Sequence, residues 1–142
     1  MNEAFLRQMT ETLRLAEELS GCDVVQAGES RELPFPMSTP RITVGLEEAD
    51  RLDYFLGYDE CLVSGEKLYV SVMCDEQSGS MHCEAMAKQV CRIVLDADLN
   101  RNITSVSVEK CMYDKANFAY KVIMRFVLRE QVFSVAEEAL PG

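Results

Sequence analysis

The order of patterns in the C-terminal half limits most tightly what this chain can fold into. Leu68, Val70 and Val72 alternate with Tyr69, Ser71 and Met73, the two-residue period of a strand. Ser78-Gly79-Ser80 breaks that run, and Met81 to Leu95 then carries apolar residues at helical spacing. Cys83, Ala87, Val90, Cys91 and Val94 make the stripe, widened by Met86, Ile93 and Leu95. Ser78 or Ser80 stands where a helix takes a capping hydroxyl. Two more alternating runs, Ile103 to Met112 and Ala116 to Leu128, face each other across a turn at Asp114-Lys115. Phe118, Tyr120, Val122, Met124, Phe126 and Leu128 share one side of the last run, and Lys121, Arg125 and Arg129 the other.

The N-terminal half is less regular. Phe5, Leu6, Met9, Leu13, Ala16 and Leu19 recur at three- and four-residue steps, which predicts a helix over Asn2 to Leu19, ended by Ser20-Gly21 with Gly21 as a left-handed cap. Asp23 to Ala27 reads as a short strand closed by Gly28, and Glu29 to Pro40 as a loop. Pro34, Pro36 and Pro40 remove backbone donors there, which excludes a central strand. Ile42, Val44 and Leu46 alternate again as a strand. Between Glu48 and Glu66 the period is lost; Ala49, Leu52, Phe55 and Leu56 suit one or two helical turns, interrupted by Gly57 and Gly65. Residues Val132 to Gly142 suggest a short helical turn before Pro141. The whole predicts one α+β domain over residues 1–142: a mainly antiparallel sheet with a long C-terminal hairpin, packed against an N-terminal helix and a second helix.

Charge narrows the function classes. With 24 acidic and 14 basic side chains the net charge is -10, and the Lys and Arg residues are scattered singly. Phosphate backbones and anionic membranes demand clustered cations, so neither is an expected partner. No run approaches the ~20 apolar residues of a membrane span, and Glu3, Arg7 and Glu11 break any signal-peptide pattern. The six cysteines show no CxxC spacing and sit largely in apolar segments, the usage of reduced thiols in the cytoplasm.

Reactive constellations are not evident. His82 adjoins Cys83, but neighbours on a helix point about 100° apart, and no further ligands for a tetrahedral metal stand at compact spacing. The acidic pairs Glu17-Glu18, Glu47-Glu48, Asp75-Glu76 and Glu137-Glu138 read as solvated surface. Phosphate-cradling glycine loops and a nucleophile elbow are missing. The expectation is a protein without catalytic residues, metal or cofactor. Two segments suit contact surfaces instead. Phe35 and Pro36 lie in a stiff Pro-bracketed loop, either a docking arm or a loop whose Phe35 folds back on the core. Tyr54, Phe55, Leu56 and Tyr58 form either an interface anchor or a satellite cluster beneath the long insertion.

The order helix, strand, Pro-rich loop, strand, long insertion, strand, helix, long hairpin resembles the phage tail terminator (tail completion) proteins, over most of the chain from Leu19 onward. More specifically, it resembles tail-associated proteins of prophages in Gram-positive bacteria. The residues carrying the resemblance are Pro40-Arg41-Ile42-Thr43-Val44-Gly45-Leu46, then Phe55-Leu56-Gly57, the strand and helix from Lys67 to Leu95, and the closing hairpin. The resemblance implies a non-enzymatic ring, typically of six subunits, capping a finished tail tube. It implies copies of the chain itself, the tail tube protein, and a head-tail connector or sheath protein as partners. It further implies assembly in the bacterial cytoplasm and residence in a virion tail or a headless tail-like bacteriocin. Assembly contacts are then expected at Phe35, Pro36, Tyr54, Phe55, Leu56, Tyr58 and the hairpin turn Asp114-Lys115. The competing expectations are an unrelated cytosolic homo-oligomeric binding or adaptor module, and a small enzyme with a cysteine nucleophile.

Overall fold

Alternation and β-branching are densest in three segments, Arg41–Glu47, Lys67–Asp75 and Ala119–Leu128, and these become the centre of the structure. The structure, a computed structural model, describes residues 3–29, 35, 37–47, 52–54, 60–63, 67–97, 103–128 and 131–134, with the backbone alone for 52–54, 60–63 and 131–134. In chain order its elements are α1 (Glu3–Leu15), β1 (Asp23–Gln26), β2 (Arg41–Glu47), β3 (Leu52–Tyr54), β4 (Glu60–Val63), β5 (Lys67–Asp75), α2 (Ser80–Asp96), β6 (Ile103–Val108), β7 (Met112–Asp114), β8 (Ala119–Leu128) and β9 (Gln131–Ser134). The fold is α+β, as the patterns predict.

The six-stranded sheet runs β1-β2-β5-β8-β6, with β7 also paired to β8. Only β1 and β2 pair in parallel; every other neighbour is antiparallel. A second sheet, β3-β4-β9, hangs from one end of the first. Its position follows from tethers: fully extended, Val63 to Lys67 spans at most about 14 Å and Leu128 to Gln131 at most about 11 Å. Glu47, Lys67 and Val127 are in register at that end, and Arg41, Met73 and Lys121 at the other.

Helix α1 packs on β1 and β2, and α2 on β5 and β8, so both cover one face. Ile42, Val44, Leu68, Val70, Val72, Met124 and Phe126 are fully buried beneath Met9, Leu13, Val90 and Val94. The other face is part apolar and part ionic. Met37, Met73 and Ala119 form a small cluster there, and Arg125 Nε bonds Glu47 Oε2 at 3.1 Å while its terminal nitrogen bonds Glu109 Oε1 at 2.7 Å. Both ion pairs are largely solvated, so they orient strands more than they stabilise them.

Several expectations are corrected. The first helix ends at Leu15, and Ala16 is extended (φ -69°, ψ 123°) before a 3-10 turn over Glu17–Leu19. In one continuous helix Leu13 and Leu19 would point about 120° apart. The break turns Leu19 back into the core and leaves Leu15 79% exposed. Gly21 is not a left-handed cap; Gly28 and Gly79 are the described glycines at positive φ, both 86°. Gly79 caps α2 with no side-chain bond, because the Ser78 hydroxyl donates to Asp75 instead. Phe118 leaves the β8 face for a turn, at φ 51°. The helical turns expected in the insertion give way to strand at Leu52–Tyr54, and the first residues of the segment Val132 to Gly142, expected to hold a helical turn, are strand through Ser134, since pairing across β4 outweighs local preference. Ala49, Phe55, Leu56 and residues 135–142 lie outside the described residues.

Two stability outcomes follow. Phe126→Ala removes the largest fully buried side chain and should cost about 3–5 kcal/mol in urea unfolding. The Tyr69 ring lies across Gly45, where an added Cβ would collide with it. Gly45→Ala should therefore cost about 1–3 kcal/mol. Most of that cost should vanish when Tyr69→Ala is combined with it; an additive double mutant would refute the contact.

Candidate assembly interface

The described ones among the expected contact residues, Phe35, Tyr54, Asp114 and Lys115, separate into two ends of the main sheet. At the Arg41 end, Phe35 is 64% exposed and its ring centroid lies 6.2 Å from that of Phe118, itself 50% exposed, at 45°. Phe35 thus neither projects free nor is buried; its ring leans on the β7–β8 turn. Asp114 and Lys115 belong to that same turn, so two segments 79 positions apart in sequence, Phe35 and Asp114, are brought to one end. Pro36 lies outside the described residues.

Asp114 shapes the turn. Its Oδ1 accepts from the Ala116 amide at 3.0 Å and the Asn117 amide at 3.3 Å, and its Oδ2 from the Asn117 side chain at 2.9 Å. These donors, the Asn117 side chain first, hold the carboxyl below its ordinary value. Phe118 takes its left-handed conformation here, with its carbonyl accepting from the Glu76 amide at 3.1 Å. Lys110, Lys115 and Lys121 line a depression of about 420 Å³ beside the turn together with Glu109 and Asp114, so its charges are mixed.

At the other end stands the small sheet. Tyr54 ends β3, its backbone paired with Cys61, while Phe55, Leu56 and Tyr58 lie outside the described residues. The ten residues of β8 separate the two ends by about 33 Å.

Thiol chemistry is set by burial. Cys83 is fully buried, with Sγ 3.5 Å from the Val72 carbonyl and 3.4 Å from that of Tyr120. Its hydrogen bond with Cys74, reinforced by burial, pushes the Cys83 thiol far up. Burial also raises Cys22, Cys91 and Cys111. The same Cys83 hydrogen bond moves its partner Cys74 downward, against the opposing effect of burial, on a side chain that is itself fully buried. Among the described residues no group of three or more His, Cys, Asp or Glu side chains is placed to hold a metal, and no helix is long and apolar enough to cross a membrane.

One surface escaped the sequence reading. Val106 and Val108 alternate like core residues and register with Phe126 and Met124, yet every residue of β6 after Ile103 is exposed, Val108 by 56%. A groove of about 330 Å³ opens between β6 and α2, floored by Val122 and Met124 and walled by Ala87, Cys91, Val108 and Cys111. The signal available was the uncharged run Ile103–Val108, but only the placement of α2 reveals that nothing in the described chain covers it. Compared with known proteins, the chain matches no family model, and no curated protein matches its sequence.

The turn makes a pH prediction. A carboxyl depressed in the folded state stabilises above its unfolded value, near 3.8, and that contribution is lost as pH falls through the lower folded value. The difference in urea midpoint between wild type and Asp114→Asn should thus be constant at neutral pH and close in acid. A difference that persists in strong acid would assign it to turn geometry alone. Phe35→Ala should cost no more than about 1 kcal/mol, because the ring is mostly solvated.

Proposed function

We propose that this chain is a structural subunit of a ring that caps and terminates a phage-type tail tube. The observation carrying the reading is the separation of the two contact ends by the length of β8, with an uncovered lateral edge between them. A ring subunit needs that arrangement: lateral surface for its neighbours, and two axial ends for different partners. The element order from Leu19 onward, which resembles the tail terminator proteins, supports it further. Heterologous contacts close into a ring when the rotation per subunit divides a full turn. Six copies is the number the resemblance implies, with the tube on one side and a connector or the last sheath layer on the other. The net charge of -10 suits a passage that repels DNA rather than holding it.

A second reading, a homo-oligomeric binding module, draws on the groove between β6 and α2, whose volume lies near the lower limit for small-molecule sites. Light scattering and negative-stain microscopy on the purified chain, alone and with tail tubes, separate the two. The first reading expects annular particles that sediment with tube ends. A monomer that ignores tubes, or a compact dimer holding a small molecule, would overturn it.

A further inference from the structure

The two edges of the main sheet are treated differently by the chain. At β1, even-numbered residues turn their backbone groups outward, since the Asp23 amide bonds the Pro40 carbonyl and the Ala27 amide the Val44 carbonyl. The outward Val24 carbonyl accepts from Arg14 Nε at 3.1 Å, and the same guanidinium bonds Glu29 at 2.8 Å and Glu11 at 3.1 Å. Helix α1 thereby plugs its own sheet edge with a long cation, a device that prevents strand addition.

At β6 no such plug stands among the described residues. The Glu109 amide bonds the Ile123 carbonyl at 2.8 Å, so residues in phase with it, Ser107 and Ser105, also turn toward β8. Val106 and Val108 therefore direct their amides and carbonyls away from the sheet, and among the described residues no strand pairs with that side. The strand is uncharged from Ile103 to Val108, has no proline, and is half β-branched valine and isoleucine. Val108 borders the groove, whose lining adds Glu84, Lys88, Glu109 and Lys110 to its apolar residues.

We infer that β6 is a strand-addition site filled by an extended segment of the next copy of this chain, whose side chains enter the groove beside α2. Two observations choose that occupant. On a chain of net charge -10 an approaching copy is repelled over most of the surface, whereas this six-residue edge carries no charge. An unplugged, uncharged, β-prone edge is also an aggregation hazard unless its partner is present whenever the chain is. Another copy meets that condition at any expression level. Four backbone groups, the amides and carbonyls of Val106 and Val108, supply register, and the groove supplies selectivity. The choice of occupant rests on the proposed ring, but the edge geometry does not.

The test uses the full chain and two variants. Val106→Pro removes an outward donor and spares every bond to β8, because the Val106 amide does not face that strand. Val108→Lys places a charge on the edge, and serves if the proline variant folds poorly. Each should weaken self-association by at least about ten-fold while leaving the circular dichroism of the monomer unchanged. In wild-type assemblies the Val106 and Val108 amides should exchange slowly, and in dilute monomer fast. Rings that form normally from both variants, with these amides exchanging freely, would sink the edge while leaving the ring reading intact. Variant-sensitive pairs that never grow beyond a two-fold dimer would uphold the edge and sink the ring. A chain that stays monomeric, or whose β6 amides are protected only on adding tube protein, would overturn a second copy as the occupant.

Discussion

Coverage of one sheet face by two helices is the constraint on which the rest of this structure depends. Two helices about 10 Å across span about 20 Å, roughly four strands at ~4.8 Å spacing. The sheet sets five strands side by side, β1-β2-β5-β8-β6. With α1 over β1 and β2, and α2 over β5 and β8, the helical layer is used up before β6 is reached. The buried core, the exposed valines and the groove are three results of that one mismatch. Among the described residues no further helix closes that surface, and Val106 and Val108 stay exposed on it.

Charge placement follows a similar logic. Arginine is used where two strands or an edge must be held: Arg14 at β1, and Arg125 between Glu47 and Glu109 across the open face. A planar guanidinium with several donors can satisfy a carbonyl and a carboxylate together, which an ammonium does less well. Cysteines, by contrast, serve as small fillers where their side chains are described; Cys22 lies 3.9 Å from the Met86 sulfur, and Cys83 rests among backbone carbonyls.

How much of this could be read from the residues alone differs element by element. The bounds of β2 were legible because Ile42, Val44 and Leu46 alternate without interruption, and α2 because Cys83, Ala87, Val90 and Val94 hold one stripe over 17 residues. Strands β3, β4 and β9 were not, since three or four residues are too few to show a period. Gly21, Gly28 and Gly79 look alike as punctuation, and only backbone geometry distinguishes the two with positive φ. At the candidate interface, the composition of Phe35 and of the Asp114 turn was visible, but their meeting through Phe118 was not. The exposure of Val106 and Val108 was invisible for a different reason: their alternation is that of buried residues, and the fault lies in the reach of a helix elsewhere in the chain.

The single parallel pairing has an effect on cohesion. Every ladder among β2, β5, β8, β6 and β7 is complete without β1, which touches the sheet through β2 alone. Residues 3–26, comprising α1 and β1, are therefore a contiguous block, knit internally where Arg14 bonds the Val24 carbonyl and fastened to the rest by a ladder of four residue pairs and by the apolar stripe of α1, which also meets α2. Detaching that block breaks no hydrogen bond between the remaining strands of the main sheet, yet it bares Ile42 and Val44 and frees the edge of β2. The pairing of β1 with β2 that completes the core thus also keeps a second strand edge covered.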